Sequence, residues 1–491
     1  MDLGSNSFRM VIARVVGDEL LMVDRLREGV RLAASLDERQ RLSPEGRRRA
    51  LRCLHIFGQR LRDFPPGSVR AVGTNTLRKA RNSDDFQEEA EAALGHPIEV
   101  ISGQEEARLI FLGASHSLSG TSERRLVVDI GGGSTECIVG EAFEPLLAES
   151  LYMGCVGFTW SFFDKGKITP KRMKKAEIAA RLEMRPMKAD FRKLGWQRAV
   201  GTSGTAHAVS EILLQNGWGE QGITVAGLEQ LRSAILEARH VSELNLRGLR
   251  RDRARVLPGG VAILRAVFDS LRIESMTVAS GALREGVLYD LLGRIRHEDV
   301  RDRTIQRLVE RYHVDLEQSR RVESTALFCL EQIAKSWKID LEANRSFLVW
   351  GARLHEIGLA IAHGGFHKHG AYVIDHSDMP GFSYRDQEML SLLVRSARRK
   401  FPTFLFDELP KTRSRLACRL AILLRLGVLF NRSRSRRRLP DFRLTGKGKS
   451  LAIHIPASWL REHPLTRADL EQEALYLNAP GFKLKIRETE D

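Results

Sequence analysis

Cysteine is scarce. The 491 residues hold five, Cys53, Cys137, Cys155, Cys329 and Cys418, an odd number without a Cys-x-x-Cys pair. That argues against a disulfide framework or a cysteine zinc site and for a reducing compartment. Long apolar runs are missing too. The most hydrophobic stretches, 421–424 and 427–430, are separated by Arg425, and none approaches the ~20 residues needed to span a bilayer. No basic segment followed by an apolar one opens the chain, so no secretory signal is expected. Low-complexity sequence is confined to the Arg/Ser run 432–438. Negative charge is in deficit: 62 Asp and Glu face 78 Lys and Arg, a net charge of +16.

What is present is the composition of a soluble globular protein, 43% hydrophobic and 29% charged. The length calls for three or four domains. The excess charge is uneven, with 15 Lys/Arg against 4 Asp/Glu in 381–440, a net of +11. Such a balance suits a nucleic acid, an anionic membrane surface or a phosphate polymer.

The N-terminal part alternates strand and helix patterns, which predicts layered α/β structure. Residues 8–16 and 19–26 read as strands around a Gly17-Asp18 turn. Ser43 caps a helix with Pro44 at its first position, running to about residue 64 before Pro65-Pro66. Short apolar strands follow at 68–73 and 98–101. A second block then repeats the first. Asp2-Leu3-Gly4-Ser5-Asn6-Ser7 is matched by Asp129-Ile130-Gly131-Gly132-Gly133-Ser134 at an offset of 127 residues, and each precedes a β-rich run. Two related lobes facing across a cleft are expected. The second lobe continues through an amphipathic stretch at 171–194, a strand at 198–200, a helix after residue 206, a strand at 275–279 and a helix at 283–292. From about residue 299 apolar spacing is helical, over 304–312, 316–337 and 346–361. After Pro440 short strands return at 442–444, 451–455 and 484–486, with a helix near 467–475. The expected divisions are 1–112, 113–297, 298–438 and 439–491.

A glycine-rich bend between strands exposes successive N–H groups that can hold phosphate oxygens. Gly4, Ser5, Asn6 and Ser7 form one such bend; Gly131, Gly132, Gly133, Ser134 and Thr135 form the other. The acidic residue before each, Asp2 or Asp129, can bind Mg²⁺ or orient water. Gly201-Thr202-Ser203-Gly204-Thr205 is a third loop, between a strand and a helix, where Gly201, Ser203, Gly204 and Thr205 could meet an anion or cap the helix. Hydrolysis of a phosphoanhydride needs a carboxylate to take a proton from water. Glu105 and Glu106 are adjacent on a presumed helix, about 100° apart, and the residues alone do not choose between them.

These segments, with Ser102-Gly103-Gln104-Glu105-Glu106-Ala107-Arg108, Asp129–Glu136, Met153-Gly154-Cys155-Val156 and Gly281-Ala282-Leu283-Arg284-Glu285-Gly286, occur in the order seen in the exopolyphosphatase/guanosine pentaphosphate phosphohydrolase family. The chain resembles that family along essentially its whole length, and looks closer to the exopolyphosphatases. The resemblance implies a two-lobed actin-like (ribonuclease H-like) ATPase superfamily fold, then an all-α HD-like domain and a small α/β C-terminal domain. It assigns the general base to Glu106 and a cleft arginine to Arg78, and it suggests that Asp129 and Glu136 hold Mg²⁺ or Mn²⁺; a monovalent cation such as K⁺ is compatible. Leu354-His355-Glu356-Ile357-Gly358, with His363, His367, His369 and His376, resembles an HD metal core. It departs from it by carrying Glu356 where that core has Asp, and the family's domain is regarded as metal-free. The family also leads into its first turn with several residues where this chain has one before Asp2, so either the start codon has been assigned late or the first strand is short.

The expected activity is removal of terminal phosphates from inorganic polyphosphate in the cytoplasm, by a homodimer that could associate peripherally with the inner face of the membrane. Arg398, Arg399 and Lys400, with Arg434, Arg436, Arg437 and Arg438, would form a track for the chain. The alternatives are hydrolysis of the 5′ terminal phosphate of guanosine pentaphosphate, or a non-catalytic sensor of polyphosphate or guanosine tetraphosphate. A sugar kinase or chaperone is disfavoured by the helical domain and the Ser-Gly-Gln-Glu-Glu-Ala segment.

Overall fold

The structure, a computed structural model, describes residues 1–16, 19–65, 67–118, 123–219, 222–295, 299–435 and 437–490. The expected Gly17-Asp18 turn, Pro66 and Arg436 fall outside these. The chain divides into two compact units, Met1–Asp299 and Val300–Asp491.

The first unit holds two sheets. One orders its strands β3-β2-β1-β4-β5, with β1 Asp2–Leu3, β2 Phe8–Val16, β3 Glu19–Glu28, β4 Ala71–Gly73 and β5 Ile98–Val100. The other contains β6 Arg124–Ile130, β7 Thr135–Glu141, β8 Glu144–Leu151, β9 Arg198–Thr202, β10 Ile223–Thr224 and β11 Ser275–Val278, in the order β10-β11-β9-β6-β7-β8. The repeat read from the sequence is a repeat of topology. β3-β2-β1 is an antiparallel meander continued by parallel β4 and β5. β8-β7-β6 is the same meander, continued by parallel β9 and β11. The two glycine turns occupy equivalent places, β1 to β2 and β6 to β7.

The helix Gly103–His116 follows β5, yet it packs on the second sheet. Its Ala107, Ile110, Phe111 and Ala114 join Val127, Ile138 and Val200 in one buried cluster. Glycines set how closely it meets the helix Leu283–Ile295. A Cβ on Gly113 would sit 2.0 Å from the Ala282 carbonyl oxygen, and one on Gly286 would sit 1.8 Å from that of Leu109. The glycines of the 281–286 motif therefore permit contact between backbones.

Three local expectations are refined. The 171–194 stretch is two helices, Pro170–Met184 and Lys188–Leu194; Pro186 between them cannot continue the hydrogen-bond ladder. The 346–361 stretch is the helix Leu341–Leu354 followed by a single 3₁₀ turn, Ile357–Ala360. Strand β8 was not foreseen; Pro145 near its start is tolerated because β8 is an edge strand.

The second unit is built on helices, among them Val300–Arg311, Leu316–Trp337, Phe366–His376, Tyr384–Ser396 and Lys411–Phe430. A three-stranded sheet follows, with β12 Arg443–Lys447 antiparallel to β13 Ser450–Pro456 and β14 Lys483–Thr489 parallel to it. One apolar core runs from Val322, Leu330 and Ile333 through Leu423 and Leu426 to Leu444, Ile453 and Leu477.

Adding a methyl at Gly113 requires the 281–286 backbone to retreat. Gly113→Ala is expected to cost about 1–3 kcal/mol, the usual range for overpacking, and to reduce activity because the same helix carries Glu106. Urea unfolding measures the first effect; an unchanged midpoint would show that the contact is not tight.

Candidate active site

The two turns meet. A Cβ on Gly132 would lie 3.6 Å from Ser5 Cβ and 3.8 Å from Asn6 Cβ, and one on Gly133 would lie 3.2 Å from Ser5 Oγ. Asn75 Nδ2 donates to the Gly133 carbonyl at 3.3 Å. Each turn is braced from behind. The Asn6 and Ser5 carbonyls accept from Arg31 N at 2.8 Å and Ala33 N at 2.9 Å, and the Gly131 and Gly132 carbonyls accept from Cys155 N and Val156 N, both at 3.0 Å. The second brace depends on Gly154, whose Cβ would fall 2.4 Å from the Gly132 carbonyl oxygen. None of Gly4, Gly131, Gly132 or Gly133 has positive φ; a Cβ would be crowded at Gly4, Gly131 and Gly133 and in ordinary contact at Gly132. Tying the carbonyls back turns the intervening N–H groups the other way, as the planar peptide demands.

Between the turns lies a cavity of about 110 Å³, lined by Gly4, Ser5, Asn6, Ser7, Gly131, Gly132, Gly133, Ser134, Ser203 and Gly204, with Asp2, Arg9, Glu106, Asp129, Glu136 and Arg253. It has room for roughly four waters, the scale of one phosphoryl group and an attacking water. Gly201, Thr205 and Thr135 stand behind its wall. Thr205 Oγ1 donates to the Ile130 carbonyl at 3.0 Å and Thr135 Oγ1 to that of Met153 at 2.6 Å. Their hydroxyls hold the loops rather than face a ligand. Ser203 does face the site; its Oγ donates to Asp129 Oδ2 at 2.6 Å. It is held at φ +62, a conformation a non-glycine residue keeps only under constraint.

The two adjacent glutamates separate cleanly. Glu105 is locked away: Arg108 Nε and Nη2 donate to it at 2.7 and 2.9 Å, and Arg70, which also bonds Asp290 at 2.6 Å, lies 3.5 Å from it. Glu106 faces the cavity, with Arg78 Nη1 donating to its Oε2 at 2.6 Å. Arg78 also donates to the Ile101 carbonyl at 3.0 Å. It thus orients Glu106 from outside the cavity lining, while Arg9 and Arg253 supply the guanidiniums that line it. Sequence reading passed over both. The signal for Arg253 was the dense run Arg250-Arg251-Asp252-Arg253.

Four buried carboxylates crowd this space. Asp129 and Glu136 are direct cross-strand partners on β6 and β7, a pairing that like charges disfavour. Burial pushes the Asp129 carboxyl up to about 7, helped by Glu106 and Asp2 and opposed by the Ser203 hydrogen bond. Glu136 is pushed up by burial, then by Glu106 and Asp129, while Ser150 Oγ donates to it at 2.9 Å. Glu106 is raised by burial and partly restored by Arg78. Asp2 Oδ1 is buried without a hydrogen-bond partner. Among the described residues no three His, Cys, Asp or Glu side chains are grouped to hold a metal by themselves. A hard cation with few protein ligands, completed by phosphate oxygens and water, fits this donor set.

Beside the cavity, sharing Ser5, Asn6, Ser7, Val156 and Val256 with it, opens a chamber of about 1150 Å³. Arg27, Arg31, Arg251, Arg255, Lys165 and the half-exposed Trp160 line it.

In the second unit the expected track is dispersed. Arg398, Arg399 and Arg434 line a pocket with His355 and His363. Lys400, Arg437 and Arg438 are exposed outside that lining, and Arg436 lies beyond the described residues. No helix among the described residues is long and apolar enough to cross a membrane.

Two lobes with duplicated turns around an acidic, phosphate-sized cavity define a phosphohydrolase of the actin-like superfamily fold. The Ppx/GppA phosphatase family matches residues 11–295, and its domain III matches residues 300–474; the chain belongs to this family. It is 40% identical over 488 residues to a guanosine-5′-triphosphate,3′-diphosphate pyrophosphatase of Aeromonas hydrophila subsp. hydrophila, covering 99% of this chain and 98% of that one. A protein of the same description from Aeromonas salmonicida is 39% identical over equal shares. The solved PPX-GPPA enzyme of Aquifex aeolicus superposes with a TM-score of 0.50 at 26% identity, over 58% of this chain and 96% of that one.

The raised Asp129 carboxyl has a sign that can be tested. In the unfolded chain it ionises near 3.8, in the folded protein near 7. Its stabilising proton is present below about pH 4 and lost as pH rises to 7, so folding stability falls across that window. Asp129→Asn is expected to remove this slope and to stabilise the metal-free protein at pH 7.5 by on the order of 1 kcal/mol or more. Urea unfolding from pH 4 to 8 measures it; parallel curves for parent and variant would show that Asp129 ionises normally.

Proposed function

We propose that the protein hydrolyses the terminal 5′ phosphoanhydride of guanosine 5′-triphosphate 3′-diphosphate. The observation that carries this reading is the chamber opening directly off the phosphate turns. A linear phosphate chain needs a basic groove. A guanosine carrying phosphates at both ends needs volume, an aromatic face and a second cluster of cations, and Trp160 with Arg27, Arg31, Arg251 and Arg255 offers these. The Aeromonas relatives, named for this substrate, support it and reverse the order of preference expected from the sequence.

In this mechanism the terminal phosphoryl group sits between the turns, held by their N–H groups and by Ser5, Ser7 and Ser134. Arg9 and Arg253 face the charge that spreads over its oxygens in the transition state. Glu106 Oε accepts the proton of the attacking water as its oxygen bonds to phosphorus; the anhydride P–O bond breaks, and the shortened nucleotide leaves with that oxygen. Arg78 favours the ionised form of Glu106 and aims it. Asp129 and Glu136 would hold Mg²⁺, which when bound neutralises phosphate charge. Asp129 is positioned for this by Ser203, Glu136 by Ser150.

Glu106→Gln is therefore expected to lower turnover by roughly 10²–10⁴ with substrate binding kept. Glu105→Gln is expected to act mainly on stability, through its arginine cluster. Normal turnover in the Glu106 variant would place the base elsewhere.

A second reading, inorganic polyphosphate as substrate, is favoured by the +11 charge of 381–440. Phosphate release from the two substrates, with Mg²⁺, decides between them. We expect the guanosine substrate to be preferred, and Arg27→Gln with Arg255→Gln to lower its kcat/KM at least tenfold while polyphosphate cleavage changes little. Preference for long polyphosphate, lost on neutralising Arg398, Arg399 and Lys400 in folded protein, would establish the second reading instead.

A further inference from the structure

The second unit holds a cavity of about 470 Å³ that the reading above leaves unused. That volume is in the range of small-molecule sites. Five arginines line it: Arg398, Arg399, Arg425, Arg432 and Arg434. Three are paired, Arg425 with Glu473, Arg432 with Asp469, and Arg434 with Asp315 and Glu356. Among the described residues neither Arg398 nor Arg399 makes a salt bridge, and Arg398 is held below its ordinary pKa by burial and by the neighbouring charges of Arg432 and Arg399, with Glu356 and Asp469 opposing. Five guanidiniums against the three carboxylates of the lining, Glu356, Asp469 and Glu473, leave a net electrostatic demand for an anion.

The cavity is built rather than incidental. Buried Arg425 donates from Nη2 to the Arg399 carbonyl at 2.8 Å and to Glu473 Oε2 at 2.6 Å, which anchors the Arg398-Arg399 segment. Arg399 and Arg434 both stand at positive φ, +67 and +54, and such outliers persist where the surroundings over-determine them. At the floor two polar atoms lack hydrogen-bond partners, His355 Nε2 and Glu356 Oε2. The His355 Nδ1 is bonded to the Ala352 carbonyl at 2.6 Å, so Nδ1 carries the proton and Nε2 is an acceptor. Leu359, Phe366, Val428 and Leu429 supply an apolar wall.

An occupant must therefore bring an anion for Arg398 and Arg399, hydrogen-bond donors for two acceptors, and an apolar face. Inorganic phosphate lacks the last of these. A divalent cation suits the acceptors, but it would sit beside unpaired guanidiniums, and no metal-holding group is found among the described residues. We propose that this cavity is a second ligand site that binds a nucleoside monophosphate, with the phosphate on Arg398 and Arg399, ribose hydroxyls toward His355 and Glu356, and the base on the apolar wall.

Calorimetric titration of the full chain with adenosine and guanosine 5′-monophosphates tests this, because neither carries an anhydride to be hydrolysed. Binding below 1 mM is expected, at least tenfold tighter than ribose 5-phosphate or inorganic phosphate. Arg398→Gln with Arg399→Gln should weaken it at least tenfold. So should Leu429→Trp, which fills the cavity without touching a charge; unchanged thermal unfolding certifies the fold of each. Arg27→Gln with Arg255→Gln, in the other unit, should leave it unaffected, so failure here and failure of the proposed hydrolysis are separable. No binding at 1 mM, binding lost only in the Arg27/Arg255 variant, phosphate binding as tightly as nucleotide, or uptake of Mg²⁺ or Mn²⁺ alone that His355→Ala abolishes would each overturn the proposal.

Discussion

The constraint around which the first unit is arranged is the burial of like charge. Asp2, Glu106, Asp129 and Glu136 are all under 10% exposed around one small cavity, where each raises the cost of ionising the others. Such a cluster is costly for an empty protein and useful only if cations or guanidiniums share the space. The surroundings divide the work. Arg78 bonds Glu106, which opposes the effect of burial by favouring its ionised form and gives it a direction. Ser203 and Ser150 donate to Asp129 and Glu136, fixing their orientation without neutralising them. On the proposed reading, electrostatic strain of this kind would be relieved by a phosphate group arriving with a divalent cation.

Precision at the site comes from glycine, and mostly for one reason. The turns approach each other, Gly154 approaches Gly132, Gly103 tucks under Ser150, and Gly113 and Gly286 bring two helices together. At all of these except the turn residue Gly132, where contacts would be ordinary, a Cβ would crowd another residue. The chain brings Glu106 to the two turns by letting backbone meet backbone, and because backbone is stiffer than side chain, the distances are held by rigid elements. This also explains why the motif at 281–286, which supplies no cavity-lining glycine, belongs with the motifs that do: it seats the helix bearing Glu106.

Much of this was legible beforehand because it depends on residue type at fixed spacing. The duplicated Asp-x-Gly turn forecast two equivalent sheets, and the meander-plus-parallel pattern of both bears that out. The apolar face of Ala107, Ile110, Phe111 and Ala114 forecast a buried helix. What stayed hidden depends on where distant segments land. Nothing local tells that Glu105, rather than Glu106, meets Arg70 and Asp290, since those lie 35 and 185 residues away. Thr135 and Thr205 looked like phosphate ligands by position, and only the structure reveals that carbonyls already hold their hydroxyls. Arg9 and Arg253 were missed because an isolated arginine on a strand or in a basic run carries no signature until its neighbours are known.

The separation of a small cavity from a large chamber has a further consequence for specificity. The cavity between the turns accommodates little more than the reacting phosphoryl group and water, and those look the same at the end of any phosphoanhydride. Discrimination must then come from what the rest of the substrate touches. On the proposed reading, transition-state stabilisation by the turns is shared across the family's chemistry, while substrate identity would be carried by chamber residues such as Arg27, Arg31, Trp160 and Arg255. In the proposed mechanism, binding energy gained in that chamber would still raise the rate, provided it is used to hold the terminal phosphate in line with the water facing Glu106. Relatives acting on a polymer or on a nucleotide could thus keep identical turns and differ only in the walls beside them.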